Sequence, residues 1–255
     1  MTLDTVTPTR ARGLKGEFAR LWVATRAGWT NGARPWLGVA LALSCVAVTV
    51  LLHFQVWRPE LWRSGDVSAA LPLSRELARL PVSLFMPTAY LPLWGAILQL
   101  VAVVGLGELI LGRSVTVVVA AAGHVGSTLL ARLLLATSFA HLIGLTPAMA
   151  HVIDTGPSGA TTAVGACLLV SLRMNRTALL LTLSLSIAAV VAPGLDGVEH
   201  AGALVIGLVS GIALGWFYVR APRRSRPLAV RWVRVLRRRR PGIVALREYS
   251  SLSPR

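Results

Sequence analysis

Six apolar stretches, separated by short polar breaks, constrain this chain more than any other feature of its sequence. An α-helix needs about 20 predominantly apolar residues to cross the hydrocarbon core of a bilayer. The stretches cover residues 36–56, 90–111, 115–135, 158–173, 178–191 and 198–218. Only 14% of the 255 residues are charged, against about 25% in soluble domains. We therefore expect an all-α membrane protein built as one six-transmembrane-helix bundle.

The distribution of basic residues predicts the side of the membrane on which each end of the chain lies. Arg113, Arg173 and Arg176 fall in two short turns on the same side as both termini, because six crossings return the chain to its starting side. The segment from Arg220 onward is rich in arginine and contains one acidic residue, Glu248. Cytoplasmic loops carry an excess of basic residues. We therefore predict cytoplasmic N- and C-termini and a multi-pass protein of the bacterial inner membrane.

This pattern divides the chain into three parts. Residues 1–35 are a basic cytoplasmic segment with an interfacial helix, residues 36–219 are the membrane domain, and residues 220–255 are an arginine-rich cytoplasmic tail. Within the membrane domain, residues 57–87 are too polar to span. They predict a long extracytoplasmic loop with short amphipathic helices in the interface. Because the tail follows a membrane end directly, we expect it to bind anionic lipids rather than nucleic acid.

A serine between two glycines opens the short fourth stretch, in the sequence Gly156-Pro157-Ser158-Gly159. Proline favours a turn before a helix, and the glycines permit tight backbone geometry. Ser158 is therefore expected at a helix N-terminus, where unpaired N–H groups and the helix dipole stabilise developing negative charge. A serine nucleophile needs such stabilisation as well as a base. A serine that only caps a membrane helix is the structural alternative.

His200, near the start of the sixth stretch, is the candidate base for Ser158. Ser158 lies 15 residues before Arg173, and His200 lies 16 residues before Trp216. At the helical rise these separations place both side chains at a similar depth, about 22 Å and 24 Å from the cytoplasmic boundary. An ionisable residue at such a depth is by default a functional-site hypothesis.

Glycines on the fourth and sixth stretches predict close helix packing. Gly207, Gly211 and Gly215 recur every four residues, and Gly159 and Gly165 are their expected partners on the fourth stretch. Small residues at such spacing let the backbones of two membrane helices approach closely. The stripe therefore favours contact between the stretches that carry Ser158 and His200.

Taken together, the six spans, the serine and the histidine resemble the rhomboid family of intramembrane serine proteases. The resemblance implies a rhomboid-like bundle in which Ser158 attacks a peptide carbonyl and His200 takes and returns the proton. The further matching positions are Gly165, seven residues after Ser158, Gly207, seven after His200, and Glu108 with Gly112 at the end of the second stretch.

The chain departs from the rhomboid pattern at positions that supply the oxyanion hole. The backbone around Gly156 and Ser158 remains as a donor, and Gln99, one turn deeper than Ala96, is a candidate substitute. The family's aromatic residue four positions after the serine is here Thr162. The family's Trp-Arg pair, its two histidines and its asparagine fall on Ala78-Arg79, Pro87, Pro92 and Ala96.

The resemblance implies an intramembrane serine endopeptidase that cuts single transmembrane helices near their extracytoplasmic ends and needs no cofactor. The alternative is a catalytically inactive rhomboid-like protein that binds other membrane helices or helps to handle them. The missing donors favour the alternative, whereas the presence of both Ser158 and His200 favours the enzyme.

Other ionisable residues have no assigned role in this interpretation. His124 and Arg132, in the third stretch, are expected to make hydrogen bonds inside the bundle. A second set could bind a metal, but its spacing is not diagnostic of a metal site, and we predict none. This set comprises His141, His151, Asp154, Glu199 and His200.

Overall fold

The computed structural model describes residues 13–87, 92–191 and 194–220 of the chain. Regular structure in these ranges is helical, apart from one isolated β-bridge between Val67 and Asp154. The first 12 residues and the arginine-rich tail lie outside the described residues. The expectation of an all-α protein is therefore confirmed for the described part of the chain.

Ten α-helices follow one another along the described chain. They are α1 (Leu14–Thr30), α2 (Trp36–His53), α3 (Arg58–Gly65), α4 (Leu73–Ser83), α5 (Leu93–Gln99), α6 (Gly105–Leu111), α7 (Arg113–Leu135), α8 (Ser158–Ser171), α9 (Asn175–Val191) and α10 (Leu195–Arg220). A turn of π-helix, Leu100–Val104, joins α5 to α6 into one segment. Two short 3₁₀ segments, Ser138–Ile143 and Pro147–His151, lie between α7 and α8.

Four helical segments are long and apolar enough to cross a membrane. They are α2, the joined α5–α6 segment, α7 and the Leu195–Trp216 part of α10. This composition indicates a multi-pass membrane protein. The apolar helices α8 and α9 have 14 and 17 residues, and α8 is only about 21 Å long, less than the roughly 30 Å of a hydrocarbon core.

Two of the long helices begin earlier than the sequence predicts. α7 starts at Arg113 and not at Val115, and α10 starts at Leu195 and not at Val198. The polar side chains at both starts explain the difference, because a hydropathy pattern ends where charge begins while the helical backbone continues. As a result, Asp196, Glu199 and His200 all lie in the first two turns of α10.

The short helix α8 lies at the centre of the bundle, where it packs against both α7 and α10, which also contact each other. It has no polar face, and a helix that is apolar all round is typically a buried one. Buried residues occur on every side of this helix. They are Gly159, Ala160, Thr161, Ala163, Val164, Ala166, Cys167 and Leu168.

Glycines permit this close packing at specific points. A Cβ atom on Gly207 of α10 would overlap the backbone of Ala163 in α8, and one on Gly211 would lie 3.0 Å from the carbonyl oxygen of Cys167. A Cβ atom on Gly123 of α7 would overlap the side chain of Ala163 from the other flank. By contrast, a Cβ on Gly215 would meet nothing within 4 Å in the described part of the chain.

These contacts also fix the relative direction of α8 and α10. Gly207 faces Ala163 and Gly211 faces Cys167, so residue numbers increase together along the two helices. The helices are therefore parallel and begin at the same end of the bundle. We call this the loop end, because the 136–157 connection enters α8 there and the N–H of Gly156 donates to the carbonyl oxygen of Ser83 in α4.

At the opposite end, two buried carboxylates satisfy the unpaired N–H groups of helix starts. Glu17 of α1 accepts hydrogen bonds from the backbone N–H groups of Arg176 and Thr177, both at 2.9 Å, and from Thr177 Oγ1 at 2.6 Å. Glu108 accepts from the N–H of Leu37 at 2.5 Å and from Arg113 Nε at 2.7 Å. Each carboxylate thus caps the start of a helix, α9 for Glu17 and α2 for Glu108, from outside that helix.

The environment of Glu17 also lowers its pKa. Burial raises the pKa, but the hydrogen bonds from Thr177 and Arg176, together with the charge of Arg20, outweigh burial and hold the pKa below its ordinary value. A depressed pKa in the folded state stabilises the fold above the pKa of the unfolded chain, and this contribution is lost as the pH falls through the folded-state value.

We predict that Glu17→Gln lowers the free energy of unfolding by about 1–3 kcal/mol at neutral pH, since it removes charged hydrogen bonds from buried N–H groups. The difference from wild type should shrink as the pH falls below the ordinary pKa of glutamate. Thermal unfolding of the detergent-purified protein across this pH range measures both effects. Glu60→Gln, whose side chain is 67% exposed, is the matched control, and an equal effect from it would contradict the capping role.

We also predict that Gly207→Ala destabilises the bundle by about 1–3 kcal/mol, the usual penalty of overpacking. Gly215→Ala, in the same helix, should be neutral or slightly stabilising because alanine is the better helix former and the site is open. Comparing the two melting temperatures checks this prediction. Equal shifts would show that α10 does not approach α8 through Gly207.

Candidate functional site

Ser158 is the first residue of α8, and the chain turns sharply before it. Gly156 has a φ of 109°, which is readily accessible only to glycine. Pro157 is the N-cap residue and provides no side-chain hydrogen bond to the helix. Ser158 is half-buried, and its carbonyl oxygen accepts a hydrogen bond from Thr161 Oγ1 at 3.0 Å. The helix start therefore agrees with the sequence, but the N-cap is Pro157.

His200 lies in the second turn of α10 with its ring tied to its own helix. Nδ1 is 2.7 Å from the backbone carbonyl oxygen of Asp196. Because a carbonyl oxygen only accepts hydrogen bonds, Nδ1 is the donor, and in the neutral ring Nε2 then carries the lone pair. This tautomer is the one in which a neutral histidine serves as a base through Nε2.

The register of α8 and α10 relates His200 to Ser158. His200 precedes Gly207 by seven residues and Gly211 by eleven, so it lies within about 20° of both on the helix surface and shares the face that packs on α8. Along the axis, His200 is about 10.5 Å before Gly207 and Ser158 is about 7.5 Å before Ala163. The two residues therefore differ in height by only about 3 Å. No hydrogen bond joins their side chains among the described residues.

Gln99 lies beside the first turn of α8. Its Oε1 is 2.6 Å from Thr161 Oγ1, whose single proton is shared between Gln99 and the carbonyl oxygen of Ser158. With the carbonyl oxygen engaged, the amide N–H groups are the hydrogen-bonding groups that Gln99 offers elsewhere. Ala96, one turn before Gln99, is buried and offers no side-chain donor. Nothing in the sequence singles out Thr161, because a threonine in an apolar helix carries no signal of its partner.

The remaining glycines of the predicted site have different neighbours. A Cβ atom on Gly159 would lie 3.0 Å from Ser127 Oγ of α7. A Cβ on Gly165 would lie 3.6 Å from Val103, in the π-helical turn of the second segment. Gly159 therefore faces α7, and Gly165 faces the joined α5–α6 segment. The glycines of α10 instead contact Ala163 and Cys167 of α8.

Polar residues of α7 bind the first loop, residues 57–87, at the loop end of the bundle. His124 Nε2 is 3.0 Å from Ser83 Oγ and 3.1 Å from the carbonyl oxygen of Leu80. Arg132 donates to the carbonyl oxygen of Leu71 at 2.7 Å and forms a salt bridge with Glu76. The expectation that His124 and Arg132 form hydrogen bonds inside the bundle is confirmed. The face of α4 that carries Glu76, Leu80 and Ser83 is therefore buried against α7.

The first loop in turn holds the segment that leads into Ser158. The N–H of Gly156 donates to the carbonyl oxygen of Ser83 at 2.8 Å, and the N–H of Asp154 donates to that of Val67 at 2.8 Å. Thr155 Oγ1 donates to the carbonyl oxygen of Pro87 at 3.0 Å. The position of Ser158 thus depends on a chain of contacts that reaches α7 through Ser83.

Arg79, the residue that aligns with the arginine of the family's Trp-Arg pair, has a structural partner. It donates to the backbone carbonyl of Asp66 at 2.9 Å. Asp66 is the C-cap residue of α3, so Arg79 links the two short helices of the first loop. This link is a reason for an arginine at position 79 that requires no direct part in chemistry.

Three carboxyl groups converge beside His200 at the loop end. Oxygen atoms of Asp154, Asp196 and Glu199 lie within 4.8 Å of one another. Asp154 and Glu199 belong to the set that the sequence suggested as metal ligands, whereas Asp196 was missed because the helix was expected to begin after it. His141 and His151, of the same set, are exposed and lie outside the group of three carboxyls.

Searches of protein-family models, of curated proteins and of solved structures find no match to this chain.

We predict that Arg132→Met lowers the free energy of unfolding by about 3 kcal/mol, because it leaves the fully buried Glu76 without its counter-ion. The exposed pair of Arg63 and Glu60, with side chains 72% and 67% exposed, is the control, since such pairs contribute about 0–1 kcal/mol. Arg63→Met should therefore have little effect. Similar melting temperatures for the two variants would contradict the anchoring role of Arg132.

Proposed function

We propose that this chain is a rhomboid-like intramembrane serine protease of the bacterial inner membrane, with six crossings and cytoplasmic termini. The observation that carries the proposal is the common placement of Ser158 and His200. Both lie at the starts of adjacent parallel helices, at nearly the same height, and His200 has Nδ1 occupied by Asp196. A serine at a helix N-terminus, with a histidine that offers Nε2 at a similar height on the neighbouring helix, is the minimum set for acyl transfer.

In this mechanism Ser158 Oγ attacks the carbonyl carbon of a substrate peptide bond, and His200 Nε2 accepts the hydroxyl proton. The histidine then returns that proton to the leaving nitrogen as the peptide bond breaks, which leaves an acyl group on Ser158. A water molecule, deprotonated by His200, attacks the acyl carbon and restores the serine. The substrates are the single transmembrane helices of other proteins, cut near the loop end.

The negative charge on the attacked oxygen requires hydrogen-bond donors. The N–H groups at the start of α8 provide backbone donors and a favourable dipole. The Gln99 amide is the proposed side-chain donor, because its contact with Thr161 fixes it one turn from Ser158. One such donor typically contributes a factor of about 100–1000 in rate, so its loss is measurable.

A non-catalytic rhomboid-like protein that binds membrane helices is the second candidate. Two observations favour it: Ala96 is buried without a donor side chain, and Ser158 and His200 are not hydrogen-bonded to each other in the described part of the chain. Catalytic hydrogen bonds are often long before substrate binds, so these observations leave the enzyme as the first candidate.

We predict that a fluorophosphonate probe labels the detergent-purified protein at Ser158. Ser158→Ala should abolish labelling and His200→Ala should reduce it by at least about 100-fold, in line with the loss of a general base. Ser44→Ala, which removes a helical serine bonded only to its own helix, is the control and should label normally. Labelling that survives in Ser158→Ala, or that is absent in wild type, would reject the enzyme and favour the binding protein.

The role of Gln99 can be separated from that of Ser158 and His200. Gln99→Ala should slow labelling by about 100-fold or more if the amide is an oxyanion donor. Thr161→Val keeps the amide but removes its hydrogen-bond partner and should have a smaller effect. Unchanged labelling rates in Gln99→Ala would show that only backbone donors act on the oxyanion.

A further inference from the structure

The connection between α7 and α8, residues 136–157, carries an inference that does not depend on protease activity. The 21 residues from Leu133 to Ile153 contain no aspartate, glutamate, lysine or arginine. By contrast, the first loop, at the same end of the bundle, carries exposed charges at Arg58, Glu60 and Arg63. Charged residues are typical of a protein surface that faces water. The composition of the connection is therefore not that of a water-exposed loop.

Large apolar side chains of the connection lie on the surface of the molecule. Phe139, Leu142 and Ile143, in the first 3₁₀ segment, are all exposed, and Leu142 is 79% exposed. Ala140 and Leu145 are buried, and the N–H of Leu145 donates to the carbonyl oxygen of Ala140 at 2.9 Å. The segment thus has a packed inner side and an apolar outer side. An exposed apolar patch of this kind marks a contact with a membrane or with another protein.

The end of α7 lies beyond the start of α8 at the loop end. Gly123 lies beside Ala163 and Ser127 lies beside Gly159, so the two helices run in opposite directions. Because α7 continues for eight residues after Ser127, to Leu135, it ends about 12 Å beyond the first turn of α8. The connection therefore covers the outermost part of the bundle as it returns from α7 to α8.

This outermost part coincides with the surface of a bilayer that the bundle spans. α7 has 23 residues and is about 35 Å long, slightly longer than the hydrocarbon core of about 30 Å. Its last turn therefore lies at the boundary between hydrocarbon and headgroups, where Leu133 is exposed. Because the connection begins directly after this turn, its exposed apolar side chains lie at the level of the same boundary.

We propose that the outer side of the connection rests in the bilayer interface at the loop end, with Phe139, Leu142 and Ile143 among the upper acyl chains. The partner is the acyl chain and not a particular headgroup, because the segment offers apolar side chains and no arginine or lysine. Interfacial segments bind in this way, by burying apolar side chains at the headgroup–acyl boundary. The contact would hold the chain that enters Ser158 at a fixed depth, whether or not this serine is a nucleophile.

A fluorescent reporter on the full chain tests this placement. Leu142→Cys, in a background where Cys45 and Cys167 are replaced by alanine, is labelled with a nitrobenzoxadiazole thiol reagent and reconstituted into phosphatidylcholine vesicles. Glu60→Cys, at an exposed charged position of the first loop, is the matched control. A lipid with a nitroxide near its ester group should quench the Leu142 label at least about twofold more than the Glu60 label, since interfacial segments lie about 5–10 Å into the headgroup–acyl boundary.

Two further measurements distinguish the possible partners of this surface. Aqueous iodide should quench the Glu60 label more than the Leu142 label. Replacing part of the lipid with anionic phosphatidylglycerol should leave the lipid quenching of the Leu142 label unchanged. Equal quenching of both labels by iodide, without lipid quenching of the Leu142 label, would overturn the proposal. Shielding of the Leu142 label from both quenchers, only at a high protein-to-lipid ratio, would also overturn it and assign the surface to contact with a second copy.

Discussion

The close packing of α8 against α7 and α10 is the constraint on which the rest of the structure depends. α8 is short and apolar on every side, so it is stable only when other helices surround it. Gly123 of α7 and Gly207 of α10 both allow close approach to Ala163 of α8. In a bilayer such contact is favoured by van der Waals packing rather than by the hydrophobic effect. The polar groups near Ser158 depend on the packing of these three helices for their positions.

At the two ends of the bundle, polar side chains pair the backbone groups for which the apolar core offers no hydrogen-bond partner. At one end Glu17 and Glu108 cap the starts of α9 and α2 from neighbouring segments. At the loop end His124 and Arg132 hold α4, and α4 holds the chain that enters Ser158. The candidate site is therefore built on the rigid start of a central helix and supported from outside by the first loop. Such support is what a reactive serine needs for a fixed geometry.

The sequence predicts the parts of this structure that follow from local pattern. Spacing and composition predict the helix start at Ser158 and the packing of Gly207 and Gly211 on α8, and the structure agrees with both. Of the six predicted apolar stretches, four form helices long enough to cross a membrane in the described part of the chain. The caps made by Glu17 and Glu108, the contact of Gln99 with Thr161 and the meeting of Asp154 with Glu199 join residues from distant parts of the chain. Only the packed fold brings such residues together. Asp196 was missed for a simpler reason, because hydropathy underestimates how far a helix extends into polar sequence.

Ser158 and His200 lie at the same end of two adjacent parallel helices, and the proposed function depends on this placement. Thiol cross-linking tests it most directly, in a background where the buried Cys45 and Cys167 are replaced by alanine. The double variant Ser158→Cys/His200→Cys should be joined by a short bifunctional thiol reagent, whereas Ser158→Cys/Gly215→Cys, with its thiols at different heights, should not. Efficient cross-linking of the second pair and not of the first would contradict the parallel register and with it the proposed dyad.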